Sequence, residues 1–234
     1  MQYFGGKHRI AQALIAAMAP IGQHYVEPFV GGASVIFGVV APSRSASDAN
    51  GDLIAMWQAL QGGWEPPSVL SETEYAALKD PATKNKALRA FAGFGCSFAG
   101  KWFGGYARGA AGRNYASGAR NGLLKKIKKL QDVSFTACDY HRADYRPGCT
   151  VYCDPPYSGT TQYGAVEAFN WPDFWAFMAG LAETGARVFV SEYAAPVDWL
   201  PVLELPVKTD IRTSANGKEA RLEKLFVHRS SGCV

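Results

Sequence analysis

No run of about 18 apolar residues occurs anywhere in the chain, which excludes a membrane-spanning helix. The opening Met1-Gln2-Tyr3-Phe4-Gly5-Gly6-Lys7 lacks the apolar stretch of a secretory signal, so a cytoplasmic protein is expected. Cysteine is scarce: Cys96, Cys138, Cys149, Cys153 and Cys233 form an odd set without paired C-x-x-C spacing. That excludes a disulfide scaffold and a zinc ribbon, and leaves reduced, mostly buried thiols and no metal as the expectation. Charged residues make up only 19% of the sequence against 48% hydrophobic, a balance that excludes disorder. The 234 residues fit one globular domain with a modest insertion, and a monomer is favoured.

A second absence is local. From Pro81 to Gln131 there is no aspartate or glutamate, while eleven of the 24 basic residues fall there: Lys84, Lys86, Arg89, Lys101, Arg108, Arg113, Arg120, Lys125, Lys126, Lys128 and Lys129. The rest of the chain has 13 basic residues against 20 acidic ones. In this window Phe91, Phe94, Phe98, Trp102, Phe103, Tyr106 and Tyr115 are interleaved with nine glycines. Cations neutralise phosphates, aromatic rings stack on bases or build a small core, and glycines admit a close backbone. A solvated basic loop would also carry such charge, but acids excluded over so long a stretch point to nucleic acid. Lys101, Trp102, Tyr106, Arg108, Arg113, Asn114, Arg120, Lys125 and Lys126 are the residues expected to meet DNA.

The periodicity predicts a helix over Lys7–Ala19, then a short strand His24–Glu27, a Gly31-Gly32 turn and an apolar helix over Ala33–Val40. A strand over Arg44–Asp48 and a helix over Gly51–Leu60 follow. This start is that of an α/β, doubly wound, mostly parallel sheet. Ser71-Glu72-Thr73-Glu74 reads as a capping box, and Lys84–Ala92 as another helix. Strands are expected at Val133–Ala137, Thr150–Cys153 and Arg187–Val190, and a helix over Pro172–Glu183. The tail predicts an antiparallel hairpin, Val202–Val207 with Leu222–His228, turning near Ser214-Ala215-Asn216-Gly217. Residues 1–65 and 132–234 are expected to form the α/β domain, with a small, mainly helical basic insert over 66–131.

The strongest local pattern is Asp154-Pro155-Pro156-Tyr157, directly after a predicted central strand. Ligands in open α/β sheets sit at the carboxyl ends of strands. The Asp154 carboxylate and the Pro155 carbonyl can accept both protons of a conjugated amine and turn its lone pair outward. Pro156 stiffens the turn and Tyr157 offers a ring for stacking. A Pro-Pro turn closing a strand with a surface Asp and Tyr is the plain alternative. Val26-Glu27-Pro28-Phe29-Val30-Gly31-Gly32 is a strand-to-helix turn in which glycines admit a cofactor and Phe29 walls it. It is not G-x-G-x-x-G, which argues against a nicotinamide site. Asp48 ends the second strand, where a carboxylate accepts ribose hydroxyls or caps the next helix.

Taken together, these segments resemble Dam-type (D12 class) DNA adenine-N6 methyltransferases, especially their small phage forms. Tyr3-Phe4-Gly5-Gly6-Lys7 resembles the family's N-terminal S-adenosylmethionine motif, Glu27-Pro28-Phe29-Val30-Gly31-Gly32 its glycine motif, and Asp154-Pro155-Pro156-Tyr157 its catalytic motif. Asp48-Ala49-Asn50-Gly51-Asp52-Leu53 is similar to the acidic segment after the second strand, and Phe135–Tyr140 to an F-x-x-x-D-[FY] element. The resemblance implies an S-adenosylmethionine-dependent, Rossmann-like fold and DNA as partner. It also implies a flipped-out adenine, Asp139, Tyr140 and Asp154 at the donor, and Lys7 near donor or base. Loss of catalysis with retained DNA binding, and methylation of RNA or of protein glutamine, stay open as alternatives. The insert matches the family's recognition segments only loosely, so no recognition sequence is implied.

Overall fold

The computed structural model describes residues 1–109, 114–156, 169–207 and 221–231. Seven strands form one sheet in the order β3-β2-β1-β4-β5-β7-β6. They are β1 His24–Glu27, β2 Ser43–Asp48, β3 Val133–Ala137, β4 Thr150–Cys153, β5 Arg187–Glu192, β6 Trp199–Val207 and β7 Arg221–His228. The first five run parallel; β7 is antiparallel to β5, and β6 to β7. The chain leaves β1 toward β2 and β3, then returns to β4 on β1's other side. That reversal opens a crevice beyond the carboxyl ends of β1 and β4.

The inner strands are short and buried on both faces, as parallel strands under two helical layers must be. Successive residues alternate between layers. Tyr25, Tyr152 and Phe189 join an apolar cluster with Leu14 and Met18 of α1 (Ala11–Met18) and Ile54 and Trp57 of α2 (Gly51–Gln61). Val26, Val151, Cys153 and Val188 join a second cluster with Phe174 and Met178 of α6 (Trp171–Glu183). Cys96, Cys149 and Cys153 are free and buried, Cys138 is half-buried, and Cys233 lies outside the described residues.

Helix starts follow capping chemistry. Ser71 and Glu74 form a reciprocal box at α3 (Glu72–Ala77), with Glu74 Oε2 accepting from the Ser71 amide at 2.7 Å. Asn50, Asn85, Asn114 and Asn170 cap α2, α4 (Lys86–Ala90), α5 (Tyr115–Ile127) and α6. The apolar face of α5, Leu123 and Ile127, was not foreseen as helical. It packs into the first cluster beside Phe91 and Phe94 of the π-helical turn Phe91–Gly95. Segment 66–131 therefore lies on the sheet as part of one continuous apolar layer.

Two expectations change. The first helix begins at Ala11 rather than Lys7, because Tyr3–Lys7 is drawn into the site described below. No helix forms over Ala33–Val40; the chain makes successive turns instead. Gly31 and Ala33 have positive φ (45° and 49°), outside the helical region. Side chains also take the backbone groups a helix would need. Glu27 Oε2 accepts the Ile36 amide at 2.8 Å, and Arg44 Nη1 donates to the Ile36 and Val39 carbonyls at 3.0 and 3.2 Å. The expected hairpin is present as β6 and β7, while its turn lies outside the described residues.

Candidate active site

The crevice is lined on one face of the sheet by charge and on the other by rings. On the first face, Lys7 is almost fully buried. Its Nζ stands 2.8 Å from Asp154 Oδ1, 3.5 Å from Glu223 Oε1 and 3.2 Å from the Gly5 carbonyl. Burial pulls the Lys7 pKa down, but Asp154 and Glu223 outweigh it and the net shift is upward. Lys7 therefore stays an ammonium and keeps the Asp154 carboxylate oriented. Tyr157 lies outside the described residues; Asp154, Pro155 and Pro156 follow β4 at the crevice.

Glu27 is buried beside this group. Desolvation pushes its pKa up to about 8 despite hydrogen bonds from Tyr25 Oη (3.2 Å) and the Ile36 amide. The Gly31-Gly32 turn is held from three sides. Asp48 Oδ2 accepts the Gly31 amide at 3.0 Å, Trp57 Nε1 donates to the Gly31 carbonyl at 3.1 Å, and Lys126 Nζ donates to the Gly32 carbonyl. A Cβ on Gly31 would lie 2.7 Å from the Tyr3 ring and one on Gly32 2.8 Å from Tyr3 Cβ. The sequence reading reserved that space for a cofactor; in the structure Tyr3 occupies it and packs on Phe94 at 4.8 Å. Phe4 lies under Lys101 Nζ at 4.7 Å.

On the opposite face Phe29 stacks on Tyr140 at 5.6 Å, and Phe169, Phe174 and Phe177 surround the pair. Tyr140 Oη donates to Asp173 Oδ2 at 2.6 Å, and Asp139 holds His141 at the rim. By strand alternation Ser47 points to this face, and its buried hydroxyl has no hydrogen-bond partner among the described residues. Flat rings, the rim carboxylates Asp48 and Asp139, and an unsatisfied buried hydroxyl fit a positively charged nucleoside derivative.

The structure sorts the residues expected to meet DNA. Lys101, Arg108 and Lys125 are exposed, Arg108 in an ion pair with Glu72. Arg120 pairs with Glu65, so acids outside the acid-free window neutralise part of it. Three others turn inward, because so small an insert must bury its own rings, while Asn114 stays exposed as a helix cap. Trp102 packs on Phe94 at 4.7 Å, over Gly93, where a Cβ would come within 2.5 Å of its ring. Tyr106 Oη donates to the Leu70 carbonyl, Asn114 caps α5 and bonds the Ser68 carbonyl, and Lys126 reaches the glycine turn. Arg113 lies outside the described residues.

Sequence reasoning missed Glu223, Lys126 as a strut, and the ring of phenylalanines from α6. A signal for Glu223 was present. Leu225 and Val227 alternate inward on β7, and an acid two positions before them falls on the same inward face.

The strand order defines an α/β fold built on a doubly wound, mostly parallel sheet. Residues 3–86 match the family described as D12 class N6 adenine-specific DNA methyltransferase, about a third of the chain. Among solved structures, tRNA (m1A58) methyltransferase TrmI from Aquifex aeolicus is 11% identical with a TM-score of 0.41, over 94% of this chain and 68% of that one. The candidate methyltransferase yhhF from Escherichia coli is 11% identical with a TM-score of 0.37, over 95% and 85%. At such values the strand order itself, not these likenesses, carries the fold. No curated protein matches the chain. Among the described residues no helix is long and apolar enough to cross a membrane, and no group of three or more His, Cys, Asp or Glu could hold a metal.

Proposed function

We propose that the protein transfers a methyl group from S-adenosylmethionine to the N6 amine of adenine in DNA. The observation that carries this is the Lys7–Asp154 pair, 2.8 Å long, at the crevice between β1 and β4, in a chain whose N-terminal third matches the D12 class. S-adenosylmethionine supplies a methyl group on positively charged sulfur, which departs as a neutral thioether. Phe29, Tyr140, Asp48 and Asp139 would hold its adenosyl part, with Tyr3–Lys7 and the Glu27–Gly32 segment shaping the site around it.

The adenine amine is a weak nucleophile because its lone pair is delocalised into the ring. Asp154 and the Pro155 carbonyl accept its two N–H bonds, localise the pair and aim it; the new C–N bond forms as one proton leaves to water. Lys7 keeps the Asp154 acceptor ionised. The target base must leave the duplex to reach so recessed a carboxylate. Segment 66–131 supplies the DNA-binding face through Lys101, Arg108 and Lys125, and 1–65 with 132–234 the chemistry.

Wild-type protein should place tritiated methyl groups on DNA rather than on RNA or protein, and sequencing should map them to adenine N6. Asp154→Ala should lose about 10²–10³-fold or more in rate while still binding S-adenosylmethionine. Full activity in that variant would overturn the assignment.

A further inference from the structure

β7 runs against its parallel neighbours: Ser191 of β5 pairs with Leu225 and Glu192 with Lys224. Its first residues, not its last, therefore stand at the rim where the parallel strands end. Glu223 is among them, 6% exposed, on the face that Leu225 and Val227 share with Tyr152. An ammonium has three donors. Among the described residues, those of Lys7 have acceptors from three parts of the chain: Asp154 after β4, the Gly5 carbonyl in the N-terminal loop, and Glu223.

We propose that Glu223 is a positioning residue for methyl transfer, the second anion that fixes Lys7 and, through it, the orientation of the Asp154 carboxylate. The inference rests on the function proposed above. With Asp154 alone, a buried ammonium would settle wholly on that carboxylate and compete with the substrate amine for its lone pairs. With Glu223 opposite, Lys7 is suspended between two anions. Asp154 then keeps its charge and its aim while sharing only part of its acceptor capacity. Glu223 has no role in touching donor or base.

The test compares the whole protein with Glu223→Gln and Glu223→Asp. Steady-state methylation of DNA with S-adenosylmethionine should show kcat lowered about tenfold to a hundredfold in Glu223→Gln, with KM for either substrate changed less than about twofold. Removing one anion also lets Lys7 lose its proton at lower pH, so the alkaline limb of the kcat profile should move down. Glu223→Asp, which keeps the charge but withdraws it by one methylene, should fall between.

A second readout does not need catalysis: the Lys7 side-chain nitrogen, followed by ¹⁵N NMR in protein without donor or DNA, should titrate at lower pH in Glu223→Gln. Among the described residues the groups facing Lys7 include Asp154 and Glu223, with Tyr152 of β4 and Glu27 of β1 beyond Asp154. Glu27 is present in both proteins, so the comparison reads the loss of the Glu223 charge. An unmoved Lys7 titration, or a moved one with unchanged kcat, would overturn the proposal. If Glu223→Gln does not fold, Glu223→Asp reads the same two quantities, partial changes supporting the role and wild-type values ending it. Wild-type protein inert toward DNA, with the titration still shifted, would sink the methyl-transfer reading and leave the Lys7–Glu223 coupling standing.

Discussion

Two lysines, Lys7 buried and Lys126 half-buried, lie in the same layer, and their surroundings have opposite effects. At the rim of β4 and β7, Lys7 meets two carboxylates and its pKa rises. Beneath the glycine turn, Lys126 reaches out from α5 to a carbonyl, with Glu27 as the acid in its field, and burial brings it down to about 8. Desolvation is the largest influence at both. What differs is the number of full negative charges within reach. A carbonyl satisfies a donor's geometry without compensating its charge, whereas a pair of carboxylates does both.

The comparison breaks most visibly at Lys7. Lys7→Met leaves buried Glu223 and half-buried Asp154 without the ammonium between them, so activity should fall with Asp154→Ala-like severity and stability by about 3 kcal/mol, read by denaturant melts. If the variant melts like wild type, Lys7 is not holding the rim.

Next come the pH dependences around Lys126. Glu27 keeps its proton in the folded state up to about 8, so its contribution to stability declines as pH rises from its ordinary 4.5 through about 8 and is flat above that. Lys126 is depressed: the folded state releases its proton first, so stability climbs between about 8 and the ordinary 10.5. Melting temperatures across this range should show a flatter acid side in Glu27→Gln and no alkaline recovery in Lys126→Met. Unaltered curves in both would remove the contrast.

The smallest effect belongs to the exposed insert. Lys125→Ala should weaken DNA binding modestly and reduce the slope of log affinity against log salt by about 0.9, whereas Arg120→Ala, already paired with Glu65, should change it less. Equal slopes for the two would mean that the Glu65 pair opens on binding.

Much of this arrangement was legible in the sequence, and the exceptions share a cause. Strands β1, β3, β4 and β5 could be read from short β-rich runs, and α2, α3 and α6 from caps and apolar spacing, because those signals are local. The helix expected after Gly31-Gly32 failed because distant groups, Glu27 and Arg44, take its backbone partners. Gly31 and Gly32 were singled out as room for a cofactor, but that Tyr3 fills the space beside them depends on tertiary contact. The approach of Lys7 to Asp154 was readable only as a shared neighbourhood. The inward face of Glu223 was readable from the alternation on β7, but its place at the rim was not, because nothing local reveals that β7 runs against β5.

That reversal also sets an order of assembly. Lys7 and Glu223 lie near opposite ends of the chain, so their contact closes a very long loop. A nascent protein can bury α1 and α2 against the early strands while its ammonium still lacks the second anion. Only when β7 has been synthesised and has docked beside β5 does Lys7 gain Glu223, so the proposed site is completed late.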